Sequence, residues 1–271
     1  MTIAIIVILM SIQTFADEAR TEQACVCLTM ESVTECILKH VGNRENYFSV
    51  SVPCYLPQAE LDCGKLLFDS LDQDSGFIRW GFEDAIATSV KEGANITYKY
   101  WMNYRTTLEY DNAAKNIASQ ITEKWNVEGL SDLQKLDMLK SYISANWRYD
   151  DLHKNIFAYP TLSEQKGSCL GLTMASQLIL NNIDVNSRTV YGTLNDSGVP
   201  HILLLVKLDN LWCTFDPTEL AREYPGTSAY LKNYYADYFT PDTMYLEESF
   251  RKSYPMTEND VSVFQDESEA H

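Results

Sequence analysis

Three residues in this sequence could together perform nucleophilic chemistry: Cys169, His201 and Asp216. A cysteine is a nucleophile when its thiol is ionised, an imidazole can take up and return a proton, and a carboxylate can hold the imidazole in one tautomer. Because the three residues are far apart in the chain, this chemistry requires a fold that brings them together. The sequence around each residue indicates how the fold does so.

Cys169 is predicted to lie at the start of a helix. Gly167 and Ser168 precede it as turn and capping residues, and a long, mostly apolar run follows it as far as Asn181. A run of that length favours a helix over a strand, and apolar residues on all sides indicate that the helix is buried. The unpaired N–H groups and the dipole at a helix N-terminus favour an anion, and therefore the reactive thiolate. A buried core thiol is the alternative, since free cysteines are often buried.

His201 and Asp216 are predicted to lie on a β-hairpin. Two mostly apolar strands, 201–208 and 211–216, are separated by only two residues, which is typical of a tight turn. Without a bulge, Leu203 would lie opposite Asp216, and His201 would be a diagonal neighbour of Asp216 on the same face. Such neighbours lie about 7–8 Å apart at the backbone, so their side chains can meet.

These residues resemble the core of the transglutaminase-like family, which belongs to the papain-like cysteine-enzyme superfamily. The resemblance rests on Gly-x-Cys at 167–169, on a histidine that opens a later apolar strand, and on Trp-x-x-x-Asp-Pro-Thr at 212–218. Upstream, the segment 131–150 is similar to a family helix followed by Asn-x-x-Tyr-Asp. The chain order Cys, His, Asp is also that of the family. Two pairs differ from those of many members, Gly171–Leu172 after the cysteine and Ile202–Leu203 after the histidine.

The resemblance implies an α+β fold in which a helix-borne cysteine packs on an antiparallel sheet that carries the histidine and the aspartate. It also implies a cysteine acyltransferase that acts on a protein or peptide. Cys169 would attack the carboxamide of a glutamine side chain, and His201 would protonate the departing ammonia. A lysine amine or water would then take the acyl group, while Asp216 fixes the imidazole tautomer.

Two other functions use the same sequence features. A cysteine peptidase or amidase would use the same three residues, and a non-catalytic cell-surface binding module would keep the fold without the reaction. Gln165, four residues before Cys169, could help to hold an oxyanion, although the backbone N–H of Cys169 is the stronger candidate donor. His153 is the rival general base, and its polar surroundings favour exposure to solvent. We assign no metal or cofactor to the site.

The composition limits the classes of partner. The chain has 271 residues, of which 45% are hydrophobic, and a net charge of −17. This length allows one large or two small domains with a sizeable core, and the charge argues against nucleic acid or an anionic membrane as a partner. We expect a smaller α+β region at 17–110, the transglutaminase-like domain at 111–250 and a loose acidic tail at 251–271.

The first sixteen residues have the features of a secretory signal. An apolar run at 2–12 is followed by Thr14-Phe15-Ala16, with small residues at the positions that a signal peptidase reads. The run is too short for a comfortable transmembrane span, and we find no other membrane segment. The sequence therefore predicts a secreted or cell-surface protein, and a buried N-terminal strand is the alternative.

Six cysteines remain when Cys169 is set aside: Cys25, Cys27, Cys36, Cys54, Cys63 and Cys213. An even remainder in a secreted chain predicts disulfides, whose connectivity the sequence leaves open. A zinc site that begins with Cys25-x-Cys27 is the competing hypothesis, but its spacing fits common zinc motifs poorly. The predicted hairpin register places Cys213 on the face opposite to His201.

Overall fold

A computed structural model describes residues 24–56, 62–73, 77–208, 211–222, 231–232 and 239–241. The chain divides into two compact units, one comprising Met1–Asp74 with Ile78–Leu108 and the other Ser75–Phe77 with Glu109–His271. The predicted signal sequence, the acidic tail and the two turn residues of the hairpin lie outside the described residues. Within those residues, no helix is both long and apolar enough to cross a lipid bilayer.

The first unit is built on a four-stranded sheet. The elements up to its end are β1 (Cys25–Val26), α1 (Met30–Gly42), β2 (Tyr47–Pro53), α2 (Cys63–Gln73), α3 (Phe77–Trp80), β3 (Phe82–Glu92) and β4 (Asn95–Tyr104). The strand order is β1-β2-β4-β3, with β1 parallel to β2 and the other pairs antiparallel. Apolar side chains from the helices and the sheet form one core, which includes Val33, Ile37, Phe48, Val50, Leu67 and Tyr100.

The second unit contains a five-stranded antiparallel sheet. The elements that follow β4 are α4 (Leu108–Thr122), α5 (Asp132–Asn146), β5 (Arg148–Tyr149), α6 (Ala158–Glu164), β6 (Lys166–Gly167), α7 (Cys169–Asn182), β7 (Ser187–Leu194), β8 (Pro200–Leu208), β9 (Leu211–Phe215), α8 (Pro217–Ala221), β10 (Leu231–Lys232) and β11 (Phe239–Pro241). The strand order is β10-β9-β8-β7-β11, and β5 and β6 form a separate short parallel pair. The expected α+β fold is confirmed.

Helix α7 is the central buried helix of the second unit. It begins at Cys169, as predicted, and every residue from 171 to 180 is buried. It packs against β7 and β8, and the Thr173 hydroxyl donates a hydrogen bond of 3.1 Å to the carbonyl of Ile202. Both partners are buried, so this bond fixes the first turns of α7 against the first residues of β8.

The hairpin of β8 and β9 has the predicted register. Val206 lies opposite Cys213 and Leu204 opposite Phe215, without a register shift in the described pairs. The predicted second strand is one residue too long, because Asp216 leaves the sheet. Its side chain accepts a hydrogen bond from a backbone N–H of α8 and caps that helix, which competes with strand pairing.

Gly171 allows the loop before the nucleophile to lie close to α7. A Cβ atom at this position would be 2.5 Å from the backbone oxygen of Asn155 and closer still to the hydroxyl of Thr161. Gly167 is similarly crowded by Thr161. The absence of side chains at these two glycines therefore sets how closely the loop and α6 approach the first turn of α7.

We predict that Gly171→Ala lowers the free energy of unfolding by about 1–3 kcal/mol, because the backbone of Asn155 would have to move. Urea denaturation measures the change. Gly42→Ala is the matched control, since a Cβ atom there would meet only Ile78 Cδ1, at 3.5 Å. Alanine at the end of α1 should be neutral or stabilising. Equal losses of stability in the two variants would contradict the prediction.

Candidate active site

Cys169 is the first residue of α7 and is half-buried, so its sulfur can be reached from outside. Ser168, in an extended conformation, is the N-cap residue and donates its backbone N–H to the carbonyl of Asn155 at 2.9 Å. This bond holds the chain in place immediately before the nucleophile. The first-turn N–H groups of the helix are oriented towards the region where an anion would form.

The structure brings His201 and Asp216 together. His201 Nε2 lies 2.7 Å from Asp216 Oδ2, and both residues are buried, with 6% and 1% of their surface exposed. The imidazole also hydrogen-bonds the side chain of Cys169. Since Nε2 is held by the carboxylate, Nδ1 is the nitrogen that faces the sulfur. The three predicted residues thus form one hydrogen-bonded chain in the order that a nucleophile, a base and an orienting carboxylate require.

The Asp-Pro-Thr sequence places the carboxylate. Asp216 is the N-cap of α8, and its Oδ1 accepts the backbone N–H of Thr218 at 2.9 Å. Pro217 occupies the first helical position, where its fixed φ angle suits the start of a helix. One carboxylate oxygen is therefore bound by the helix, which directs the other towards His201.

The environment favours the charged form of His201. Burial by itself lowers the pKa of this imidazole, but the hydrogen bond to Asp216, the charge of Asp216 and the contact with Cys169 together raise the pKa to about 10. An imidazolium is therefore favoured at neutral pH. A cysteine sulfur beside a positively charged imidazole is the arrangement found in other histidine-paired cysteine nucleophiles.

Tyr149 lies near the nucleophile and Arg222 lies over its ring, and the sequence did not reveal a role for either residue. The guanidinium of Arg222 lies 4.1 Å from the ring centre of Tyr149. Burial and the nearby charge of Cys169 raise the pKa of the Tyr149 phenol, and Arg222 opposes them. Arg222 is exposed and directly follows α8. The helix that Asp216 caps therefore also places this guanidinium. The sequence signal would have been a cation six residues after Asp216, at the end of the short helix.

Asp150 organises the loop that leads from β5 to α6. Its carboxylate accepts the backbone N–H groups of Lys154 at 2.7 Å and Asn155 at 3.0 Å, and Lys166 Nζ lies 3.3 Å away. The N–H of Asn155 contributes most to lowering the pKa of Asp150, to about 2; burial opposes it, and Lys154 and Lys166 add to it. The aspartate of the Asn-x-x-Tyr-Asp segment thus holds the loop that follows Tyr149.

The remaining candidates are both exposed. Gln165 is the C-cap of α6, with φ of 55°, and its side chain hydrogen-bonds Tyr142; its oxyanion role stays a prediction. His153 has φ of 50°, and its ring meets the ring of Tyr149 edge-on at 5.8 Å. It is His201 whose imidazole lies between a carboxylate and the sulfur, which is the arrangement expected of the base.

We predict that Asp216→Asn lowers the pKa of His201, because the substitution removes the charge that raises it. NMR titration of the imidazole C–H signals measures this pKa, and the chain has only four histidines to assign. The raised pKa stabilises the folded wild type fully below pH 6.5, and this stabilisation is lost as the pH rises through about 10. The difference in free energy of unfolding between wild type and Asp216→Asn should therefore become smaller as the pH rises from 6.5 to about 10.

An Asp69→Asn control, at an exposed ion pair with Lys65, should leave the titration of His201 unchanged. An NMR titration midpoint of the His201 imidazole that is the same in Asp216→Asn and in the wild type would contradict the prediction.

We predict that Asp150→Asn destabilises the protein by an amount that depends on pH. A carboxyl group with a lowered pKa stabilises the folded state above its ordinary pKa of 3.8, and this contribution is lost as the pH falls through about 2. The difference in free energy of unfolding between wild type and variant should therefore shrink below about pH 4. Urea denaturation between pH 5 and pH 3 tests this, and a constant difference would be inconsistent with it.

Comparison with known proteins agrees with this geometry. A sequence model of the transglutaminase-like superfamily matches residues 115–217, a segment that contains the cysteine, the histidine and the aspartate. A comparison with curated proteins finds no match.

Among solved structures, a TGase crystal structure is 15% identical, with a TM-score of 0.37, and the match covers 73% of this chain and 60% of that one. A structure described as a putative cysteine protease from Cytophaga hutchinsonii is 13% identical, with a TM-score of 0.35, covering 51% of this chain and 62% of that one. The chain thus spans about 60% of the length of these two proteins. Residues 115–217 of this chain are thus similar to the transglutaminase-like superfamily.

Proposed function

We propose that this protein is a cysteine acyltransferase of transglutaminase type. It would form a thioester from a glutamine carboxamide and pass the acyl group to an amine or to water. The observation that supports this most directly is the hydrogen-bonded chain from Cys169 through His201 to Asp216. A half-buried sulfur beside a buried imidazolium suits attack on an uncharged amide.

In the first half-reaction the Cys169 thiolate attacks the carboxamide carbon and a C–S bond forms. The oxygen of the tetrahedral intermediate carries the negative charge, and the backbone N–H of Cys169 is positioned to stabilise it. His201 donates the proton on Nδ1 to the leaving nitrogen, the C–N bond breaks, and ammonia departs. The products are a thioester on Cys169 and a neutral imidazole.

In the second half-reaction the neutral His201 takes a proton from an incoming amine or water as that group attacks the thioester carbon. A new C–N or C–O bond forms, the C–S bond breaks, and the thiolate and imidazolium return. Asp216 keeps Nε2 as a donor in both halves, because its other oxygen is held by Thr218. The imidazole therefore cannot present the wrong tautomer to the sulfur.

The substrate would be a protein or peptide, with a lysine side chain as one class of acceptor. Tyr149 lies close enough to Cys169 for the charge of the sulfur to act on its phenol. Tyr149 and the guanidinium stacked on it would therefore contact the substrate next to the reacting amide. The signal-like features of residues 2–16 support a site of action outside the cytosol.

We predict that Cys169→Ala abolishes turnover and that His201→Ala lowers kcat by about 10²–10⁴-fold, the usual contribution of general acid–base catalysis. The assay would supply glutamine-containing peptides with a fluorescent primary amine and identify the products by mass spectrometry. Cys213→Ala is the matched control, since Cys213 is a buried thiol, and this variant should keep its activity.

The products separate the proposal from its alternatives. Amine incorporation, or glutamate formed at the glutamine position, supports the acyltransferase. A cleaved peptide bond would instead assign a cysteine peptidase. No turnover, together with equal alkylation rates for Cys169 and Cys213 in iodoacetamide, would favour a non-catalytic binding module and overturn the enzymatic assignment.

A further inference from the structure

Three cysteines and one histidine converge in the first unit. Cys25 and Cys27 are two residues apart in an extended segment, so their side chains point to the same side. Cys36 and His40 are four residues apart on α1, so their side chains lie on the same helix face. The fold places these two pairs against each other: the sulfurs of Cys25 and Cys36 and a ring nitrogen of His40 all lie within 4.8 Å of one another.

Cys27 lies beside this group, although it is not one of the three ligand atoms that lie within 4.8 Å of one another, and its thiol donates to the carbonyl of Ser32 at 3.3 Å. Its sulfur lies 3.8 Å from that of Cys25, and its thiol is in hydrogen-bonding contact with Cys36. In tetrahedral coordination a Zn–S distance of about 2.3 Å places two sulfurs about 3.8 Å apart. The observed separation is compatible with two sulfurs on one metal ion, as it is with a contact between two thiols, and it is too long for a bonded pair.

A disulfide between Cys25 and Cys27 is disfavoured by the backbone. Residues two apart in a strand have Cα atoms about 6.6 Å apart, near the upper limit for a disulfide. All seven cysteines of the chain are free thiols in the structure. The extended segment therefore presents two sulfurs side by side, as a pair of metal ligands.

The histidine is held as metal-binding histidines usually are. His40 Nδ1 lies 2.6 Å from Glu45 Oε2, and its ring stacks on Phe48 with centroids 4.9 Å apart and planes within 3°. Histidines that bind metals commonly donate their second nitrogen to a carboxylate, which fixes the tautomer and the ring orientation. Glu45 occupies Nδ1, which leaves Nε2 for the cysteine cluster.

We infer that Cys25, Cys27, Cys36 and His40 form a structural zinc site, with Glu45 orienting the histidine. Three thiolates and one imidazole are a ligand set that Zn²⁺ prefers, and four protein ligands leave no open position for catalysis. The site ties β1 to α1. Because β1 has two residues and lies at the edge of its sheet, a shared ion adds a strong restraint where few backbone bonds exist.

The test is the metal content of the full chain purified under reducing conditions. We expect one Zn²⁺ per chain by elemental analysis. After removal by a chelator, Co²⁺ should bind with thiolate-to-cobalt charge transfer and the visible bands of a tetrahedral site. Cys36→Ser should lose both signals, whereas Cys63→Ser, a partly buried thiol of the same unit, should keep them.

Glu45→Gln keeps the test decisive if Cys36→Ser fails to fold. This variant retains all four ligands, so it should bind one ion at saturation with an affinity reduced about 10–100-fold. Cys169→Ala should bind zinc like the wild type. The zinc measurement therefore stands whether or not the protein has the proposed acyltransferase activity.

Three results would overturn the inference. One is peptide mapping that finds Cys25, Cys27 or Cys36 in a disulfide of the purified chain. Another is a reduced, metal-free chain that takes up neither Zn²⁺ nor Co²⁺. The third is a loss of bound metal that is equal in Cys36→Ser and Cys63→Ser.

Discussion

The hydrogen bond between His201 and Asp216 is the interaction on which the site depends. Both groups are buried, and an ion pair in a protein interior is costly unless its remaining atoms are also bonded. Here each atom has a partner: one carboxylate oxygen holds a helix N–H, the other holds the imidazole, and the imidazole reaches the sulfur of Cys169. Removing His201 or Asp216 leaves the other buried group without its partner, so these two side chains form one electrostatic unit beside the sulfur.

The scaffold fixes this unit by placing each member at the end of a different element. Cys169 opens α7, His201 lies near the start of β8, and Asp216 lies between β9 and α8. The bond from Thr173 to Ile202 joins the helix to the strand one turn below the sulfur. Side chains at element ends can point towards a common opening while the elements themselves stay packed. The precision of the site therefore comes from the buried contacts below it.

The parts of the fold that local rules govern could be predicted from the sequence. The start of α7 follows from a capping residue and a long apolar run, and the register of β8 and β9 follows from a two-residue turn. The contact between Tyr149 and Arg222 could not be predicted, because it joins distant segments through the placement of α8. Asp216 shows how two local rules compete, since it fits a strand pattern but caps a helix.

The sequence offered a zinc site that begins with Cys25-x-Cys27 only as a competing hypothesis, and it did not indicate His40 as a ligand. Zinc motifs are recognised when ligands lie close together in one short loop, whereas here one pair comes from a strand and the other from a helix. Within an extended segment and within a helix, spacings of two and four residues each place two side chains together. Only the packing of β1 near α1 brings the two pairs together, so that Cys25, Cys36 and His40 converge with Cys27 beside them.

Five of the seven cysteines lie in three different surroundings. Burial raises the pKa of Cys213 to about 11, so that thiol stays neutral and unreactive. The thiols of Cys25, Cys27 and Cys36 would be occupied by a metal ion in the inferred site. Cys169 is half-buried, opens a helix and contacts an imidazolium. The surroundings of Cys213 and of the Cys25, Cys27 and Cys36 cluster thus differ from those of Cys169, whereas Cys54 and Cys63 are also only partly buried.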